Sequence, residues 1–282
     1  MIQSKQLYLQ YKAAGREATD PKEEHQVKQY VRSLPDDINS LLTCDRILTI
    51  QDFSHDALYD LYLDYLKVLQ PQLIIDDANS PAIKSIIQYL RHDPEFLDSD
   101  RRSFAKGLML RGGVGTGKSL LMRGLCDLLK GLYFFRIVEK RYSATGINTN
   151  LEKGIEVTHT IAPAFITSAE IVRDFCIGGF KIFDRAMIRQ GDNFVSLKCG
   201  YWIFDDIGAE SSGFHYGARV NVISELLTAR YDEYTLNRAA NLTHATSNLN
   251  PEDIKKTYGD RIYDRMKEMF NDIILHGQSR RK

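Results

Sequence analysis

The chain has 282 residues, 43% apolar and 26% charged, with 37 Lys+Arg balanced by 37 Asp+Glu. Zero formal charge excludes bulk attraction to nucleic acid, so any such binding has to come from a local patch. Four scattered cysteines with no CxxC pair, and seven histidines with neither HxxxH nor HExxH spacing, exclude a zinc framework and fit free thiols in a reducing compartment.

Along the chain, Met1 to Asp20 scatters Lys5, Lys12, Arg16 and Glu17 and lacks the apolar stretch of a secretory signal. No run approaches the ~18 apolar residues of a membrane span. A soluble cytoplasmic protein with no membrane partner is expected. Residues 1–75 read as short polar helices and turns. Within them, 57–69 (ALYDLYLDYLKVL) spaces Leu58, Leu61, Leu66 and Leu69 as an amphipathic helix with tyrosines between. Two readings stand for it: packing within a small domain of its own, or an aromatic face for a partner protein.

Ser80-Pro81 supplies an N-cap and an N1 proline for a helix running to about His92, stopped by Asp93-Pro94. From Gly107 the pattern alternates. Leu108 to Leu110, Ala164 to Ile166, Tyr201 to Phe204 and Ala240 to Thr246 read as strands; Ser119 to Gly131, 168–176, Val220 to Tyr234 and a segment starting at Asn250-Pro251 read as helices. This alternation predicts a parallel sheet covered on both faces. Segment 135–163 is polar and β-prone, a hairpin or an extended insertion.

Residues 112–119, Gly112-Gly113-Val114-Gly115-Thr116-Gly117-Lys118-Ser119, fit GxxxxGK[ST] with a strand before and a helix, opening at Leu120, after. Glycines let successive N–H groups turn toward phosphate oxygens, Lys118 reaches the β- and γ-phosphates, and the Ser119 hydroxyl suits Mg²⁺. ATP with Mg²⁺ is the expected ligand pair. The strand ending Asp205-Asp206 delivers carboxylates where parallel sheets bind ligands. Asp205 is expected to hold Mg²⁺ and Asp206 to polarise water. Asp206 is one methylene shorter than the Glu of many hydrolysing ATPases, which predicts slow turnover; Glu210, one turn on, is a candidate assistant. In Ala245-Thr246-Ser247-Asn248 a polar side chain at the strand end is placed to orient water. Arg261 and Arg265, spaced i,i+4, are either a solvated face or an arginine finger toward a neighbouring subunit.

With these pieces in order, the chain resembles the AAA+ ATPases of the DnaC-type helicase-loader and IstB-like group. The marks are GGVGTGKS, the stretch Phe204-Asp205-Asp206-Ile207-Gly208-Ala209-Glu210, Thr246-Ser247-Asn248, and Gly259-Asp260-Arg261 followed by Asp264-Arg265-Met266. The resemblance covers roughly residues 80–282. It implies an αβα core on a five-stranded parallel sheet in an ATPase domain of residues 76–282, with a small, mainly helical partner-binding region at 1–75. It makes Asn248 the sensor, Arg265 the trans-acting finger that supports self-association, Arg261 a second boundary arginine and Arg281 a C-terminal arginine near nucleotide. It also implies a replicative helicase bound through the N-terminal region and single-stranded DNA on the ATPase domain. Segment 168–190, with Phe180, Lys181, Phe183, Arg185 and Arg189, falls where such proteins insert a DNA-contacting helix; packing in the core is the competing reading. A transposition helper of the IstB type, a small-molecule P-loop kinase and a non-hydrolysing nucleotide-gated adaptor are the alternatives in function.

Overall fold

The structure is a computed structural model that describes residues 49–97, 101–134, 139–143, 155–159, 163–183, 189–190, 193–194, 197, 200–215, 218–238 and 240–280. In chain order the elements are α1 (His55–Leu69), α2 (Ser80–Arg91), β1 (Gly107–Gly112), α3 (Lys118–Phe134), β2 (Glu139–Ser143), β3 (Ile155–His159), β4 (Ala164–Thr167), α4 (Ser168–Gly178), β5 (Arg189–Gln190) and β6 (Asn193–Phe194). There follow β7 (Trp202–Ile207), β8 (Gly213–His215), β9 (Ala218–Val220), α5 (Val222–Leu236), β10 (Thr243–Ser247), α6 (Pro251–Tyr258), α7 (Asp260–Met269) and β11 (Phe270–Leu275).

Five strands form one parallel sheet in the order β11-β1-β10-β7-β4. Counted along the chain this is 5-1-4-3-2, so the P-loop strand lies between the fifth and the fourth. Side-chain alternation divides each strand between two apolar layers. Leu108, Leu110, Ile203, Ile273 and Leu275 join α1, α2 and α3 on one face. Met109, Trp202, Phe204 and Ala245 join residues of α4 to α7 on the other. The αβα sandwich expected from strand–helix alternation is therefore present. The fifth strand, expected from the resemblance alone, is Phe270–Leu275 at the edge of the sheet.

Helix α1 belongs to this core. Tyr62 and Leu66 are fully buried and Tyr65 nearly so, and the Tyr62 hydroxyl donates to the carbonyl of Leu121 in α3 at 2.6 Å. Two glycines in α3 make the approach possible: a Cβ at Gly124 would lie 2.4 Å from Leu66 Cδ2, and one at Gly131 would lie 1.8 Å from the Tyr65 hydroxyl. Glycine inside a helix costs about 1 kcal/mol against alanine, so closeness of packing is the compensating gain. Tyr62 and Tyr65 thus face α3, and the core crosses residue 75. Of the expected region 1–75, residues 1–48 lie outside the described residues.

Local signals placed most helix ends. Thr167 and Glu170 form a reciprocal capping box on α4, and Asn250 caps α6 ahead of Pro251. Helix α2 begins at Ser80 with Asn79 as N-cap, one residue earlier than Ser80-Pro81 suggested, because the Asn79 side chain organises the preceding turn: its Oδ1 accepts from Asp76 N at 3.0 Å and its Nδ2 donates to Ile74 O at 2.9 Å. Within 135–163, β2 and β3 pair antiparallel, as a hairpin would. Arg230 of α5 is fully buried, and its guanidinium donates to the carbonyls of Gly200 at 2.8 Å and Asn241 at 2.7 Å, tying down the chain that enters β7 and β10.

Candidate nucleotide site

The C-terminal tips of β1, β7 and β10 converge with the N-terminus of α3. Between β1 and α3 the backbone turns through Gly115 at φ +78° and Gly117 at φ +104°, left-handed values that a side chain strains to adopt. Around Gly117 a Cβ would meet nothing within 4 Å, so its requirement is for conformation and not for space. Thr116 is buried and its hydroxyl donates to Gly113 O at 3.0 Å, while Val114 stands 60% exposed at the crest of the loop. Lys118 is 4% exposed, and its ammonium donates to the carbonyls of Gly112 at 2.9 Å and Gly113 at 2.7 Å. Leu120 packs part-buried against the α1–α3 layer.

The acidic tip is built differently. Between β10 and β7 the register runs Ala245 to Phe204 and then Ser247 to Ile207, so Asp205 and Asp206 together oppose Thr246. This is a β-bulge. Asp206 takes φ +57°, a left-handed value that aspartate tolerates better than most side chains because of its short polar group. The bulge thus suits a short aspartate at this position. Both backbone groups of Asp206 are held: its N–H donates to Thr246 Oγ1 at 2.8 Å and its carbonyl accepts from Ser168 Oγ at 2.8 Å.

Thr246, fully buried, donates in turn to Asp205 Oδ1 at 2.6 Å. One hydroxyl therefore serves both acidic residues. Ser119, in the first turn of α3, lies near enough for its side chain to favour the ionised Asp205 carboxyl. Burial holds the Asp205 pKa above the usual carboxylate value; the hydrogen bond from Thr246, the Ser119 side chain and the charge of Lys118 pull it down, and neighbouring Asp206 pushes it up. A buried carboxylate beside a serine hydroxyl at the mouth of a glycine loop is an oxygen donor set suited to a hard divalent cation. Ser119 and Asp205 are the residues that would hold Mg²⁺, and the donor set fits it.

Other expected site residues stand further from this constellation. Asn248 is exposed, and it is Thr246 that reaches the acidic pair. The stretch Thr-Ser-Asn signalled a polar strand end, but which of its residues faces Asp205 depends on the bulge. The Glu210 oxygens accept from Gly208 N in its own loop at 2.7 Å and from the Tyr258 hydroxyl at the end of α6. Arg261 is exposed on α7. Arg265 lies over the Tyr231 ring at 4.9 Å, with Asp232 of α5 3.9 Å away. The two arginines therefore differ, one exposed and one packed along its own chain. Arg281 and Arg185 lie outside the described residues. Phe180 and Lys181 are exposed after α4, and Phe183 is half-buried.

Fold and site together define an α/β protein whose P-loop motif follows the second strand in the order of a five-stranded parallel sheet. Neither a protein-family model nor a curated protein matches the chain. Solved structures similar to it include three. The first is a protein described as a primosome component from Streptococcus pyogenes serotype M3, at 21% identity over 73% of this chain and 84% of that one, TM-score 0.42. The second is the DnaC helicase loader, at 15% identity over 74% and 96%, TM-score 0.41. The third is DnaI, at 16% identity over 86% and 93%, TM-score 0.40. Among the described residues no helix is long and apolar enough to cross a membrane, and no cluster of His, Cys, Asp and Glu has the makings of a separate metal site.

Proposed function

We propose that this protein is an ATP-binding, slowly hydrolysing AAA+ switch that loads a replicative DNA helicase onto single-stranded DNA. The observation that carries the nucleotide half is the Asp205 carboxyl, bonded by the Thr246 hydroxyl and set beside Ser119 and Lys118. Ser119 and Asp205 would hold Mg²⁺, which when bound would supply charge neutralisation at the phosphates. The chain's own contributions are the main-chain amides of 113–119, the Lys118 ammonium and a backbone-locked Asp206 for orienting water. A short carboxylate in a fixed bulge favours slow turnover, as a switch requires. Arg265 is the candidate finger for a neighbouring subunit's nucleotide, and ATP-dependent self-association follows from that role.

The loading half rests on the motif resemblance, in which DDIGAE and GDR–DRM are more specific than a P-loop alone. An exposed aromatic patch supports a DNA-contacting role. Phe180, 55% exposed, packs edge-on against the buried Phe175 at 5.2 Å between ring centroids, with Ile177 78% exposed on the same helix. Lys181 adds a cation beside Phe180. Bases stack on such rings while cations track the backbone.

The test is capture of a purified replicative helicase, with and without ATP, by the full chain and by a truncation lacking residues 1–48. That boundary leaves α1 on the core. ATP-dependent capture by the full chain and loss in the truncation are expected. Capture of a transposase together with duplex DNA would replace the reading with the IstB-type one, and phosphate transfer to added nucleosides would replace it with a kinase.

A further inference from the structure

The C-terminal tail after β11 crosses the outside of the P-loop and is fastened on its far side. Arg280 N–H donates to Gly115 O at 2.9 Å. Ser279 packs so tightly on Gly115 that a Cβ there would lie 2.2 Å from its hydroxyl oxygen. The Arg280 guanidinium then reaches the turn before α2, donating to Asp76 Oδ1 at 2.6 Å and to Ile74 O at 3.2 Å. That turn is itself braced: Asp76 Oδ1 also accepts from Ala78 N at 3.0 Å, and Asn79 ties Asp76 to Ile74. A Cβ at Gly277 would sit 3.2 Å from Ala78 Cβ, so the tail lies on the turn over several residues. The arginine beside Asp76 holds its carboxyl below the usual value, so the pair is charged at neutral pH.

We propose that Arg280 and Asp76 are positioning residues that clasp the tail over Gly115 and thereby set the P-loop amides for phosphate. The proposal rests on the nucleotide reading above. Its direction follows from peptide planarity. In a trans peptide the carbonyl and the next N–H point opposite ways. Fixing Gly115 O toward the tail therefore aims Thr116 N–H, a member of the phosphate cradle, away from the tail. Gly115, free to rotate in isolation, loses that freedom to Ser279 and Arg280, which the turn at 74–79 fastens in place. A loop ordered in advance binds its ligand without the entropy loss of ordering it.

The experiment compares Arg280→Gln, Arg280→Lys and Asp76→Asn with the unaltered chain. Asparagine keeps the acceptor for Ala78 N, so the turn itself stays capped. Binding of a fluorescent ATP and a fluorescent ADP is measured with Mg²⁺, together with turnover at saturating ATP and hydrogen exchange of the 113–117 amides in the nucleotide-free protein. Expected are about three- to fivefold weaker binding of both nucleotides in Arg280→Gln and Asp76→Asn, the range of an exposed ion pair. Turnover at saturation should be unchanged, exchange of the loop amides faster, and most of the affinity retained in Arg280→Lys. Raised salt should weaken the unaltered chain toward the variants. Unchanged loop exchange and affinity in Asp76→Asn and Arg280→Gln overturn the clasp, and tighter binding overturns it in favour of a tail that obstructs the site. Should the unaltered chain fail to bind ATP, the nucleotide reading fails; loop exchange in the nucleotide-free variants still decides whether the clasp orders the loop.

Discussion

The phosphate loop and the acidic tip face one another across the site and are built on opposite principles. The loop works by what its residues lack: glycines at 115 and 117 adopt left-handed φ, and Val114 projects outward. The tip works by what its residues carry: fully buried Thr246 bonds both Asp205 and the Asp206 backbone, and Ser168 holds the other side of Asp206. A loop of main-chain groups tolerates side-chain change wherever conformation survives. A buried polar network fails as a unit, because one missing hydroxyl leaves several groups unpartnered.

The largest expected effect tests the loop at its one indispensable side chain. Lys118→Ala should abolish nucleotide binding measured by fluorescence anisotropy while leaving the fold intact by circular dichroism. Retained ATP affinity would show that the amides suffice and would break the contrast from the loop side. Next, Arg265→Ala should leave ATP binding unchanged and lower hydrolysis by about tenfold or more. Mixing it with Asp205→Ala should recover part of the activity if the tip is completed by a neighbouring subunit. Absence of recovery would mean that Arg265 serves its own chain, as its packing on Tyr231 permits.

Thr246→Val keeps shape but removes the shared hydroxyl. It should destabilise the protein by about 2 kcal/mol in urea titration and lower hydrolysis, with Thr246→Ser restoring most of both. A neutral Thr246→Val would reduce the tip to two independent carboxylates. The smallest effect concerns Asp205. Its pKa is raised on folding, so the native state binds the proton more tightly than the unfolded chain. Stability from this group is therefore greatest below the ordinary value of 3.8 and is lost as pH rises from there through the raised folded value. Asp205→Asn should lack that slope and be about 1 kcal/mol more stable at neutral pH without nucleotide, while losing Mg²⁺-dependent binding. Equal pH profiles in thermal melts of the two proteins would show that the tip carries no such penalty.

Contiguous signals were legible in the chain itself. The P-loop, the acidic strand end, the alternation of strands and helices and the proline and asparagine caps depend on neighbours within a few residues, so spacing alone conveys them. The fifth strand was hidden because its six residues follow helix α7 directly, with no turn signal between Met269 and Phe270. The face of α1 was visible as amphipathic, but its partner was not, since Gly124 and Gly131 acquire meaning only when Tyr65 and Leu66 arrive from another helix.

By itself, then, the sequence determined a P-loop motif between a strand and a helix, a carboxylate at a neighbouring strand end and an α/β frame to hold them, because each is encoded by local backbone freedom and side-chain period. Tertiary structure alone decided the strand order, the bulge that turns Thr246 and not Asn248 toward Asp205, and the fastening of Arg280 to Asp76. Those depend on register and on contacts between segments far apart in the chain, and pairing across a sheet or between distant loops leaves no periodic trace along a single strand of sequence.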